Sequence, residues 1–453
     1  MNERNQMLET GDIKKTLFKL SMPAIIGLLV SALYNIIDGI FIGKGAGPLA
    51  FGALTVAFPI QMVITAIAQM VGMGASSVYS RALGEKDYEK AETVVGNAFL
   101  SNIVLGLLMV SIGLIFIDPI LLLFGATTEI MPYAKDYVSV ILIGSIFNQF
   151  AMSTNSLIRA EGNSKAAMFT MLVGAVLNTI LDPIFIFGFG MGIKGAAIAT
   201  SLAQFCSFLF VIFYLKGDKT NMKPKAHHYK PNKNILNQIF SIGFSSFARQ
   251  IASSFVAILL NHSLKIYGGN DAFAIYGAAF KILMFLMMPL FGIVQGLQPL
   301  VGYNYGARQM HRVNKSIKYA LIGTTAFAVT SVLFGMLFPK QLMGLFLTDP
   351  ELVDESATVL RIILLFMPVI GIQSVGGSVY QSIGKAIPAL VLSALRQVIL
   401  FAPLLIILPR LINPPLLGVW ITFPMSDAIS TLITGIMLKK EMNLMAKQNK
   451  EVI

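Results

Sequence analysis

Apolar residues along this chain gather into runs of about 20 or more, long enough to cross a bilayer as helices and separated by short polar segments. Twelve such runs are predicted, roughly residues 17 to 42, 52 to 80, 94 to 117, 133 to 158, 167 to 187, 195 to 215, 237 to 264, 273 to 301, 315 to 338, 356 to 381, 388 to 409 and 418 to 437. The expected fold is an all-α polytopic membrane protein. The polar start MNERNQMLETGDIKK leads into an apolar run longer than a signal-peptide core and without a small-residue cleavage site, which predicts a retained first helix.

Composition points the same way. With 55% hydrophobic and 12% charged residues and a mean hydropathy of +0.74, the chain is far more apolar than a soluble surface tolerates. The lone Cys206 excludes an intrachain disulfide. Of the 34 basic residues, 24 fall on the side that holds the two termini. Seven (Lys44, Lys135, Lys194, Lys265, Lys340, Arg361, Arg410) fall on the other side, and Arg249, Lys281 and Arg396 fall inside the apolar runs. The positive-inside rule then predicts a multi-pass protein of the cell (inner) membrane with both termini cytoplasmic. The net charge of +12 reflects this topology and contact with anionic headgroups. Because the basic residues are scattered over separate loops, no nucleic-acid partner is expected.

The chain also repeats itself at an offset of 222. Ala50-Phe51 answers to Ala272-Phe273, Ala57-Phe58 to Ala279-Phe280, Gly74 to Gly296, Gly84 to Gly306, Gly113 to Gly335 and Gly162 to Gly384. Beyond that the register slips by one, so that Gly195 answers to Gly418. Two pseudo-symmetric six-helix lobes follow, and since six is even they are parallel repeats about an axis along the membrane normal. Residues 1–215 form the expected N-lobe, 216–236 a cytoplasmic linker rich in lysine, and 237–453 the C-lobe. The linker histidines read as solvated loop residues rather than a metal site.

Two like-oriented bundles around a central path suit alternating access. A GxxxxGK[ST] phosphate loop is missing from the sequence, the nearest string being GFGMGIKG at 188 to 195, so the chain is not expected to be an enzyme that hydrolyses ATP. An ion gradient is the remaining common energy source. Asp38 in YNIIDGIFIG and Asp182 in LNTILDPIFIFG are carboxylates within apolar runs, where a charge is costly unless it meets a polar cavity. Counting residues from the helix ends places Asp38, Asp182 and Thr200 at one level, roughly 6 to 8 Å below the outer edge. Asn178 shares the face of Asp182, four residues away. Such a set forms either an oxygen cage for a small cation or a carboxyl pair that carries a proton. Alternatively, the acids cap helix ends or pair with Lys44 and Lys194.

At this point IIDGIFIG, the RALGEKDYEKA loop, the RAEGN loop, LNTILDPIFIFG and GIKGAAIAT together resemble the multidrug and toxic compound extrusion (MATE) transporters, in particular the DinF/MepA-like branch, over nearly the whole chain. The resemblance implies a cation site in the N-lobe at Asp38, Asn178, Asp182 and Thr200. Tyr34 and Asn155 would line the cavity, ordinary interhelical hydrogen bonding being the alternative for both. It also implies a secondary antiporter that exports small amphiphilic organic compounds in exchange for H+ or Na+, with no cofactor and no metal beyond Na+ at that site.

The repeat adds a contrast. Asp38 answers to Leu260, and Asp182 to the segment from Ala402 to Leu404, so the C-lobe lacks the acidic pair. Its intramembrane charges are Arg249, Lys281, Arg396 and Asp427. Arg396 and Asp427 read as a structural ion pair, and Arg249 and Lys281 as candidates for a positively charged substrate cavity. Met284, Met287 and Met288 share one helix face, read as helix packing, and Pro23, Pro59, Pro289, Pro299 and Pro368 are candidate kinks. The alternative function is a lipid-linked precursor flippase or polysaccharide exporter of the same superfamily. A monomer is the expected state.

Overall fold

Without water in the hydrocarbon layer, a lipid-facing backbone must satisfy its hydrogen bonds internally, which makes the helix the natural form of each apolar run. The computed structural model describes residues 3–45, 47–218 and 220–451, and its regular structure is helical throughout. Twelve helices are long and apolar enough to cross a membrane: α1 (Ile13–Gly43), α2 (Gly52–Gly84), α3 (Tyr88–Ile115), α4 (Met131–Ala160), α5 (Ser164–Gly188), α6 (Gly192–Lys216), α7 (Lys233–Tyr267), α8 (Gly269–Gly306), α9 (Met310–Leu337), α10 (Pro350–Ser382), α11 (Ala386–Leu411) and α12 (Pro415–Gln448). Each overlaps one predicted run. Most extend a few residues further, and α12 continues eleven residues beyond its apolar stretch as a polar helix.

Polar side chains mark where several helices begin. Asp87, Asn163, Asn232 and Asp349 each accept a hydrogen bond from a backbone N–H of the first turn of α3, α5, α7 and α10, satisfying donors that the helix leaves free. Of the candidate kinks, helix runs unbroken through Pro23, Pro59, Pro289 and Pro299. Only Pro368 sits at an interruption, the short turn Met367–Val369 within α10. Two further irregularities are wide π turns, at Ile184–Gly188 directly after Pro183 and at Leu395–Phe401 in α11. Met287 packs against the main core cluster.

The repeat extends to backbone conformation. Among the described residues, Lys86 and Arg308, 222 residues apart, are the two other than glycine with positive φ, at 60° and 57°. Gly162 and Gly384, also 222 apart, have φ of 86° and 80°. A left-handed residue other than glycine is uncommon, so its recurrence at matched turns is a strong sign of duplicated structure.

The halves meet along a seam near the end of the bundle that carries the termini. A Cβ added to Gly74 would overlap the Ile239 carbonyl, one on Gly243 the Met70 carbonyl, one on Gly296 Ser21, and one on Gly292 Ile25. Gly84 lies against the Tyr303 carbonyl and Gly306 against the Arg81 carbonyl. Glycine permits this approach of backbone to backbone. Beside it Ser77 donates to the Gln381 carbonyl, and Gln381 Nε2 donates to Ser246 Oγ at 2.8 Å.

A short N-terminal helix, Glu3–Glu9, lies across this end. Arg4 pairs with the buried Glu161 at 2.9 Å, and Tyr214 hydrogen bonds the same carboxylate. Further along, Tyr303 donates to Glu9 at 3.1 Å, and Arg312 Nη2 donates to the Gly11 carbonyl at 2.7 Å. The linker is also fastened down. Asn97 in α3 donates to the His228 carbonyl at 3.1 Å and accepts the Asn232 N–H at 2.8 Å. His228 is consequently only 1% exposed, which corrects its reading as a solvated loop residue.

Candidate cation site

At the end of the bundle remote from the termini, α1, α5 and α6 bring four polar side chains together. Asp182 and Asn178 share one face of α5 and are buried, at 0% and 2% exposure. Asn178 Nδ2 donates to Asp182 Oδ1 at 3.2 Å and to Thr200 Oγ1 of α6 at 3.1 Å. The Asp38 carboxyl, from α1, lies within electrostatic range of Asp182. Among the described residues, Asp38 Oδ1, Asn178 Oδ1 and Asp182 Oδ2 are buried without a hydrogen-bond partner.

That inventory has chemical meaning. Two neighbouring carboxyl groups in apolar surroundings need something positive beside them, either a proton on one of the pair or a cation that takes oxygens from both. The three unpartnered oxygens are all acceptors, and Thr200 adds a hydroxyl. Directly after Asp182, Pro183 removes a backbone donor and the helix widens into the π turn. Local backbone regularity is thus relaxed where the acid sits.

Tyr34, one turn before Asp38, lies within electrostatic range of both acids. So does Tyr137 of α4, which sequence reasoning missed; it is 3% exposed and accepts a hydrogen bond from Gln61 Nε2 at 2.9 Å. Asn155 is placed elsewhere. It stands five residues before the terminus-side end of α4, where its Nδ2 donates to the Ala167 carbonyl at 2.6 Å and its Oδ1 accepts from Arg159. Its amide therefore joins α4 to α5 and does not line a cavity beside Asp38. Lys194 lies 3.8 Å from Asp136 rather than on Asp182, and the side chain of Lys44 is outside the described residues.

In the second half, Arg396 holds the buried Asp427 through two bonds, from Nε and from Nη2, the latter at 3.3 Å. Gln373 secures the Asp427 carbonyl at 2.9 Å. Arg249 is exposed and has no ion-pair partner among the described residues; Lys281 is exposed as well and rests over the Phe346 ring, 5.4 Å from its centroid.

Comparison with known proteins bears on what such a site belongs to. The MatE family profile matches the chain twice, over residues 23–184 and 245–407. The second match begins 222 residues after the first and ends 223 after it, the same offset and slip as the internal repeat. The multidrug export protein MepA of Staphylococcus aureus (strain MSSA476) is 29% identical over 405 residues, 89% of each chain. Among solved structures, an outward-facing multidrug resistance MATE transporter of the MOP superfamily superposes with a TM-score of 0.94 at 28% identity, over 99% of each chain. A MOP superfamily transporter from Pyrococcus furiosus, described as having a binding pocket of reversed polarity that suggests a different function, gives 0.93 at 28% identity, over 98% of this chain and 99% of its own. With the family profile covering well over half of its length in two copies, this chain belongs to the MatE family of multi-pass membrane transporters and is not an enzyme.

Proposed function

We propose that this protein is a cell-membrane antiporter that expels small amphiphilic organic compounds, driven by H+ or Na+ entering at Asp38, Asn178, Asp182 and Thr200. The observation that carries the reading is the set of three buried acceptor oxygens, without hydrogen-bond partners among the described residues, around two neighbouring acids. Acceptors in excess of the available donors are satisfied when a proton or cation joins them. The export of drug-like compounds rests on the likeness to MepA.

Orientation follows from charge. The positive-inside rule makes the terminus-bearing end cytoplasmic, so the glycine seam closes the inner side and the acids lie toward the outside. The external cation enters the acid site from there. Its binding then favours release of substrate, and linkage requires the converse. Residues 1–215 and 237–453 act as two rocking lobes joined by the linker, and the protein works as a monomer.

The second half supports a companion reading of the cargo. Arg249 and Lys281 give the C-lobe side cations without carboxylate partners among the described residues, which suits anionic or zwitterionic amphiphiles, as in a lipid-linked precursor flippase. The Pyrococcus furiosus relative with a pocket of reversed polarity is a precedent for such a departure.

Proteoliposomes with an imposed ΔpH or ΔNa+ and a fluorescent cationic substrate test the proposal. Efflux should follow one of the two gradients and disappear in Asp38→Asn and Asp182→Asn. Gradient-driven efflux that persists in both variants would remove the basis of this reading.

A further inference from the structure

The segment joining the two halves carries a constellation that transport does not use. His227 and His228 lie on the turn Ala226–Tyr229, and both Nε2 atoms face one carboxylate oxygen, Glu89 Oε1 in the first turn of α3, at 3.0 and 2.9 Å. The three ligand atoms all lie within 4.8 Å of one another. We propose that Glu89, His227 and His228 form a binding site for a divalent transition metal of the Zn2+ class.

Geometry fits such an ion with little movement. A tetrahedral centre with bonds of about 2.0–2.2 Å keeps its ligand atoms about 3.3–3.5 Å apart, so each imidazole needs to open from Glu89 by only a few tenths of an ångström. The Glu89 and His227 side chains are 70% and 53% exposed, which leaves a fourth position to water. Two imidazoles and a carboxylate select Zn2+, Ni2+ or Cu2+ over the hard cations Mg2+ and Ca2+, which prefer all-oxygen sites.

The turn is held in place before any ion arrives. Asn97 grips the His228 and Lys230 carbonyls at 3.1 and 3.2 Å, and Gly96 leaves no room for a Cβ beside the His228 carbonyl. An ordered turn lowers the entropy cost of gathering ligands. His228 Nδ1 receives the Lys225 N–H at 2.9 Å and lies 3.3 Å from Glu92 Oε2. When a metal takes Nε2, the ring proton resides on Nδ1. Glu92 is positioned to accept it, as carboxylates commonly do behind metal-bound histidines. The Lys225 N–H must then turn to solvent, so loading the site exchanges one hydrogen bond of the linker.

The test uses full-length protein purified without a polyhistidine tag, stripped with a chelator and titrated calorimetrically with ZnCl2 near neutral pH. One Zn2+ per chain should bind, as counted by elemental analysis. His227→Ala and Glu89→Gln should each weaken it at least about tenfold. Both substitutions change exposed side chains, and unaltered melting in the absence of metal checks the fold. His262→Ala and His311→Ala, elsewhere in the chain, should leave the affinity unchanged. Wild-type protein that takes up no stoichiometric Zn2+ overturns the proposal. So does equal affinity in His227→Ala and Glu89→Gln, or MgCl2 binding as tightly as ZnCl2.

Discussion

Gly84 and Gly306 are reciprocal partners across the seam: Gly84 lies on the carbonyl of Tyr303, three residues before Gly306, and Gly306 lies on the carbonyl of Arg81, three residues before Gly84. Two helices related by the repeat thus cross where neither can carry a side chain. Alanine at either position pushes the crossing apart, a strain of about 1–3 kcal/mol. Gly84→Ala and Gly306→Ala should each favour opening at this end. In a Cys206→Ser background, a cysteine at Gln298 beside the seam should then react faster with a thiol reagent added from that side. Unchanged labelling in both variants would show that the crossing does not control access.

Asn178 ties Asp182 to Thr200 with one amide, so its loss loosens two ligands at once. Asn178→Ala should weaken coupling-ion affinity by roughly tenfold, corresponding to about 1.5 kcal/mol for a hydrogen bond to a charged group. The expected readout is an ion concentration for half-maximal efflux displaced upward, with the maximal rate retained at saturating ion. An undisplaced curve would place the coupling ion away from Asn178.

The pair formed by Arg396 and Asp427 serves stability. Asp427 is 2% exposed at its side chain and Arg396 is 38% exposed, so removing the arginine strands a buried acid. Arg396→Ala should destabilise the protein by about 3 kcal/mol, at the lower end of the range for broken buried pairs because the arginine is partly solvated. Arg396→Met combined with Asp427→Leu should recover much of that loss. Thermal unfolding in detergent measures both, and coupling-ion dependence should stay as in the wild type.

Glu161 provides a pH-dependent contact outside the spans. Burial raises its affinity for a proton above the ordinary carboxyl value of 4.5, against the opposing pull of the Tyr214 hydroxyl, the Asn221 N–H and Arg4. The folded chain therefore binds this proton more tightly than the unfolded one. Its contribution is fullest below the ordinary value and is lost as pH rises through the raised one. The difference in melting temperature between wild type and Glu161→Gln should shrink or reverse as pH increases across that window. A difference independent of pH would rule out Glu161 as the titrating group.

Much of this is legible in the sequence for a physical reason: lipid leaves a long apolar run little choice but helix, and the repeat shows in glycines of which Gly74, Gly84, Gly296 and Gly306 sit at the seam. The meeting of Asp38, Asn178, Asp182 and Thr200 could be anticipated because helix direction and rise fix depth. Tyr137 and Gln61 could not, since a tyrosine near a helix end resembles any interfacial anchor. Asn155 takes the second of its two expected roles, an interhelical hydrogen bond, because it lies near the terminus-side end of α4 and meets the Ala167 carbonyl there. His228 looked like a loop residue because nothing local marks burial. The signal lies in α3, where Asn97 is a buried amide near the start of a membrane-spanning run.

The N-terminal helix Glu3–Glu9 engages both halves, through Arg4 and Glu161 on one and through Glu9, Gly11 and their partners Tyr303 and Arg312 on the other. It behaves as a clasp fastened over a closed purse. Any parting of the halves beneath it must break one of the two sets of bonds, so the contacts of residues 3–11 oppose opening at this end.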